Sequence, residues 1–119
     1  MKIMIVDDSE IIRKAIRNML SGDGREFVGE AGDGVRALEV FQDTQPEFVT
    51  MDITMPDMDG LECIRQMMAI NPAVKILVVS AVSLESVALE ALEIGARSFL
   101  RKPFSRDQLV AAFEKISGA

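Results

Sequence analysis

The 119-residue sequence contains no histidine at all and a single cysteine, Cys63. Without imidazole the chain cannot build a Ser-His-Asp triad, a histidine general base or most transition-metal sites, which leaves carboxylate, hydroxyl and lysine chemistry. One thiol cannot close an internal disulfide, and with no histidine it forms neither a zinc site nor a Cys/His dyad, so Cys63 reads as a small residue on a helix. Long apolar runs are missing as well. The stretch near the start, Ile3 to Val6, falls far short of the ~7 to 15 residues of a signal-peptide core or the ~20 of a membrane span. A cytoplasmic protein with no membrane partner is expected. Basic residues are the minority: thirteen Lys and Arg against nineteen Asp and Glu give a formal net charge of -6. That balance repels a phosphate backbone and argues against a nucleic-acid partner.

What is present is an ordinary globular composition, 49% hydrophobic and 27% charged. No repeat, linker or break in composition divides the chain, and its length suits one domain over residues 1–119, since domains commonly run ~100 to 150 residues. Five times over, a short β-rich apolar run is followed by a segment of helical period. The runs are Lys2 to Asp7, Arg25 to Ala31, Glu47 to Asp52, Val74 to Ser80 and Ser98 to Lys102. Unbroken apolar character from Val74 to Val79 marks a strand covered on both faces, as in a parallel sheet. Between the runs, apolar residues recur at helical spacing: Ile12, Ala15, Ile16, Met19 and Leu20; Leu38 and Phe41; Leu61, Ile64 and Met68; Leu84, Ala88, Ala91 and Leu92; Leu109, Ala112, Phe113 and Ile116. Each stripe needs a sheet to cover. Asp59 with Glu62 and Ser105 with Gln108 are spaced as capping boxes, and Gly22 and Gly95 sit where helices should stop. The alternation predicts an α/β sandwich with right-handed crossovers. Strand order is not readable from these residues.

Ligands of open parallel sheets bind at the carboxyl ends of the strands. Here those ends carry Asp7 and Asp8, then Asp52, Ser80, and Lys102 followed by Pro103. Three carboxylates gathered on one rim repel one another unless a cation joins them. Oxygen-only donors with open positions suit Mg²⁺, which takes one or two carboxylates and keeps waters or a phosphate. A carboxylate beside such an ion, facing a lysine and a hydroxyl, is arranged for phosphoryl transfer. Asp52 would be the nucleophile, the metal and Lys102 would each neutralise a phosphoryl oxygen, and Ser80 would hydrogen-bond a third. Taken singly, Lys102 reads as an exposed lysine, Ser80 as a strand-end hydroxyl, and Ser9 as a helix cap. Their joint placement carries the reading.

These residues resemble the motifs of receiver domains of two-component response regulators over essentially the whole chain. Asp7-Asp8-Ser9, Met51-Asp52-Ile53-Thr54-Met55-Pro56, Asp59-Gly60, Ser80-Ala81 and Lys102-Pro103-Phe104 follow that family's order and spacing. The resemblance implies a flavodoxin-like, CheY-like sheet of order 2-1-3-4-5 flanked by five helices. It implies phosphorylation of Asp52 by a histidine kinase and Mg²⁺ held by Asp8, Asp52 and the Thr54 backbone carbonyl, with Asp7 in support. It further implies contact of Lys102 with the phosphoryl group and a cis Lys102-Pro103 peptide. Such receivers couple the hydroxyl of the fourth strand to an aromatic of the fifth, here Ser80 and Phe99, biasing a surface of the fourth helix, fifth strand and fifth helix. Phe99 reads equally as plain core. Many members carry Tyr there, so a hydroxyl-dependent partner contact is missing. Position 82 is Val and offers nothing to orient an attacking water.

Other readings compete. Gly32-x-Gly34-x-x-Ala37 lies between a strand and a helix and mimics a dinucleotide fingerprint. It reads better as a turn, because the true fingerprint belongs to the first strand-helix turn and Asp33 would repel a pyrophosphate. A phosphatase of the haloacid dehalogenase type uses a similar cluster but carries a second Asp two residues after its nucleophile, where this chain has Thr54. It also needs length for a cap, so a switch rather than an enzyme is expected. A receiver-like adaptor that is never phosphorylated is a third reading. With Ala119 following directly on the fifth helix, no output domain is expected and output should be protein contact. The resemblance points to stand-alone chemotaxis regulators that bind the flagellar motor switch, with a phosphatase as a further partner. Phosphorelay intermediates and other adaptors are the alternative.

Overall fold

The computed structural model describes residues 1–55, 59–81 and 85–118. Strands and helices alternate along the chain: β1 (Lys2–Val6), α1 (Glu10–Leu20), β2 (Glu26–Ala31), α2 (Gly34–Thr44), β3 (Phe48–Met51), α3 (Gly60–Ile70), β4 (Lys75–Ser80), α4 (Glu85–Ile94), β5 (Ser98–Arg101) and α5 (Arg106–Ser117). The strands form one parallel sheet of order β2-β1-β3-β4-β5, the order that the sequence resemblance implies. Each strand lies within a residue or two of its expected bounds.

Alternation along the strands sends side chains to two separate cores. Met4, Val6, Val49, Met51, Ile76 and Val78 face one layer with Val40, Phe41, Ile64, Met67 and Ala91 of α2, α3 and α4. Ile3, Ile5, Phe48, Leu77 and Val79 face the other with Ile16, Leu20, Leu109 and Phe113 of α1 and α5. Fully burying one such aliphatic side chain stabilises by roughly 1.5–3 kcal/mol, which is why central strands accept so few polar residues. Phe48 and Phe113 meet edge to face at 4.8 Å.

The helix ends follow local chemistry, with two departures from expectation. Ser105 and Gln108 form the full capping box. At α3 only half of the box exists: the Asp59 carboxylate accepts from the Glu62 N–H, while the Glu62 side chain is taken by Gln66 and Arg65. Gly22 is not the stop of α1. The helix ends at Leu20 on Ser21, whose hydroxyl donates to the Arg17 carbonyl, and Arg25 caps the Leu20 carbonyl, so no left-handed residue is needed. Gly95 does close α4, with φ 141°. Pro56, Val82, Leu84 and Ala119 lie outside the described residues.

Candidate functional site

β1 and β3 are the central pair of strands at the acidic rim, and the chain leaves the sheet at their carboxyl ends carrying Asp7 and Asp52. Continuing the two-residue alternation of Ile3 and Ile5, and of Phe48 and Thr50, both carboxylates fall on the α1/α5 side. Their exposures are 1% and 4%, whereas Asp8 is exposed. One carboxylate oxygen from each of Asp7, Asp8 and Asp52 lies within 4.8 Å of the others. At the end of the edge strand, Lys102 precedes a cis peptide bond to Pro103, the form that the resemblance implies. Its backbone N–H donates to the Ser80 carbonyl, which ties the end of β5 to the end of β4. Its ammonium donates to Asp7 Oδ2 at 2.6 Å and to Asp52 Oδ2 at 3.5 Å.

Asp7 is fully engaged. Oδ1 accepts from the Ser9 N–H at 2.9 Å, its backbone N–H donates to the Ala31 carbonyl, and its own carbonyl accepts from Arg13 Nη1 at 2.6 Å. Asp52 Oδ1 accepts from the Thr54 N–H at 3.0 Å, and the Thr54 and Ser80 hydroxyls are 3.3 Å apart. Ser9 caps α1 by accepting from the Ile12 N–H. By contrast, no hydrogen bond or ion pair to the Asp8 carboxylate is found among the described residues.

The electrostatics follow from this burial. Removal from water pushes the Asp52 carboxyl above its ordinary value, and the charge of Asp7 adds to that; the Thr54 N–H and the Lys102 ammonium pull the other way without cancelling it. For Lys102, burial is the largest single influence and favours the neutral amine, yet the hydrogen bond to Asp7 and the charges of Asp52 and Asp7 together raise it. One ammonium among three carboxylates leaves surplus negative charge on hard oxygen donors, and the exposed Asp8 gives that surplus a solvent-facing edge. Such a donor set fits a divalent cation of the Mg²⁺ kind.

The structure thus brings together every strand-end residue singled out in the sequence. Phe99 sits opposite Val78 and packs, half-buried, on the α2/α3/α4 core. Cys63 is buried on α3, its thiol pushed up to about 12 by burial and then by Asp33, Asp59 and Glu62, so it is inert. In the Gly32 to Ala37 segment, Asp33 caps α2 by accepting from the Arg36 N–H, a turn rather than a nucleotide loop. Arg13 and the Thr54 hydroxyl, neither of them marked by a strand-end position in the sequence, join the site as well. The signal for Arg13 was a basic residue one turn into the helix that follows the acid pair.

Comparison with known proteins agrees with this geometry. The family model described as response regulator receiver domain matches residues 3–114. Chemotaxis protein CheY of Thermotoga maritima is 39% identical over 116 residues, covering 98% of this chain and 97% of that protein. The Bacillus subtilis CheY is 38% identical over 114 residues, covering 96% and 95%. In the CheX–CheY–BeF3–Mg²⁺ complex from Borrelia burgdorferi, a chain of 28% identity superposes with a TM-score of 0.93 over 98% of this chain and 88% of its own. No helix among the described residues is long and apolar enough to cross a membrane. With sequence likeness spanning almost the whole length and the strand order reproduced, the chain belongs to the response regulator receiver domain family and is CheY-like within it.

Proposed function

We propose that the chain is a phosphoacceptor switch in which Asp52 takes a phosphoryl group from a histidine kinase in the presence of Mg²⁺. The observation that supports this best is the Asp52 carboxylate itself: buried, held at one oxygen by the Thr54 N–H, and facing Lys102 at the other. A carboxylate oxygen of Asp52 forms the new P–O bond as the P–N bond to the donor histidine breaks, and the electron pair leaves on the imidazole nitrogen. Lys102 neutralises charge on an equatorial oxygen, and the Ser80 hydroxyl donates to another. Asp7, fastened to Lys102 and the Ser9 N–H, keeps the ammonium over the gap. Asp8 and Asp52 would hold Mg²⁺ with the Thr54 backbone carbonyl, Asp7 supporting. Bound there, the ion supplies neutralising charge to the phosphoryl oxygens.

The chain acts as a switch rather than as an enzyme on other substrates, in one cytoplasmic domain. Drawing the Ser80 hydroxyl toward a phosphoryl group biases Phe99 and the surface of α4, β5 and α5. On that surface Leu89 and Leu92 are 58% and 41% exposed, which suits a protein partner. Relatives named chemotaxis protein CheY at 38–39% identity favour a flagellar motor switch protein as that partner and a CheY phosphatase as a second. Acetyl phosphate with Mg²⁺ should add one phosphate to the intact mass, EDTA should prevent it, and Asp52→Asn should abolish it. Unchanged labelling of the Asp52→Asn protein would sink the assignment.

A further inference from the structure

Arg13, Arg17, Glu30 and Gly32 gather behind the bond that joins the acid pair. Arg13, on the second turn of α1 and only 19% exposed in its side chain, donates from Nη1 to the Asp7 carbonyl and from Nε to Glu30 Oε1 at 3.1 Å. Glu30, on the edge strand β2, is gripped from its other oxygen by Arg17. A Cβ on Gly32 would lie 3.3 Å from Arg13 Nη1 and 4.0 Å from the Asp8 Cα, so glycine leaves the room that the guanidinium occupies. The glycine of the apparent fingerprint therefore has a packing reason.

The Asp7 carbonyl belongs to the same planar peptide as the Asp8 N–H. Holding that oxygen fixes the plane and thereby where the Asp8 side chain starts. Asp7 has other anchors, to Ala31, Ser9 and Lys102. No described residue holds the Asp8 carboxylate, so its aim rests on its backbone. We propose that Arg13, clamped by Glu30, is a positioning residue that aims Asp8 at the cation and so sets Mg²⁺ affinity, an inference that rests on the metal reading above. Planar guanidinium suits this task because its fork engages the carbonyl and Glu30 at once, which a lysine ammonium cannot do in the same geometry.

Charge alone makes the opposite forecast. Removing a positive group beside a cation site should tighten cation binding, whereas loss of aim should weaken it. The test is titration calorimetry with MgCl₂ on the full chain, alongside melting in EDTA. Arg13→Gln should raise the Mg²⁺ Kd by about tenfold, the lower end of the effect typical of groups that orient metal ligands. Arg13→Lys, which keeps the charge, should also raise it, and acetyl-phosphate labelling of both variants should recover at saturating Mg²⁺. A Kd unchanged or lowered in these variants, even with a reduced Tm, would overturn the inference and leave Arg13 a structural residue. Asp8→Asn separates the two levels: if wild-type protein takes up no Mg²⁺, or uptake survives Asp8→Asn, the metal reading itself fails and this inference with it.

Discussion

Gly60 offers a severe test of how the acidic rim is held. It is the first residue of α3, where alanine would ordinarily favour the helix by up to about 1 kcal/mol. Here an added Cβ would stand 2.2 Å from the Ile53 Cα and 2.6 Å from the Asp52 carbonyl oxygen, against ordinary contact from 3.4 Å. Both obstacles are backbone, so neither can rotate away. The start of α3 and the segment after β3 must part by more than about 1 Å, straining the Gly60 N–H bond to the Ile53 carbonyl. Overpacking of this kind costs about 2–3 kcal/mol, near the top of its usual range. With an unfolding entropy of about 2.1 cal/mol/K per residue, a chain of this length should lose roughly 8–12 °C in Tm. The same displacement moves Thr54, whose N–H holds Asp52, and a shift of about 1 Å at a reacting group can slow reaction ~100-fold. Acetyl-phosphate labelling at saturating Mg²⁺, at a temperature where the variant is folded, measures the second effect. Gly24→Ala is the control: it forces alanine to φ 76° in open space away from the site, so it should lower Tm but leave labelling unchanged. A Gly60→Ala protein that melts with wild type and labels at the wild-type rate would show that the start of α3 does not hold the rim.

Two further outcomes concern stability. The Asp52 carboxyl is raised in the folded state, so the fold binds that proton more tightly than the unfolded chain. The stabilisation is complete below the ordinary value of 3.8 and is lost as pH rises through the folded-state value. In Mg²⁺-free buffer Asp52→Asn should therefore be more stable than wild type at pH 7 by urea denaturation, with the gap narrowing toward pH 4; a gap that widens on acidification would contradict this. Thr50, paired between Ile5 and Leu77, buries a hydroxyl with no hydrogen-bond partner among the described residues. Thr50→Val keeps the shape and removes the orphan group, so stability should rise by about 1 kcal/mol and Tm by roughly 4 °C; a lower Tm would show that the hydroxyl is satisfied in solution.

The strands, helices and rim residues were legible because each rests on local rules. Val74 to Val79 is a buried strand by its unbroken apolar run, Ser105 with Gln108 announces a helix start three residues apart, and Asp52 ends a strand. Where local rules misled, a neighbour had intervened: Arg65 and Gln66 drew Glu62 off its cap, and Arg25 made a glycine stop after α1 unnecessary. Which groups stand at the carboxyl ends of the strands follows from local patterning, because alternation and strand length depend on near neighbours alone. Long-range packing sets the rest: Lys102 bonds Asp7 more closely than Asp52, Thr54 faces Ser80, and Arg13 reaches the Asp7 carbonyl. Those contacts join residues brought together by strand order and by helices folding back over the sheet. No local period encodes such distances.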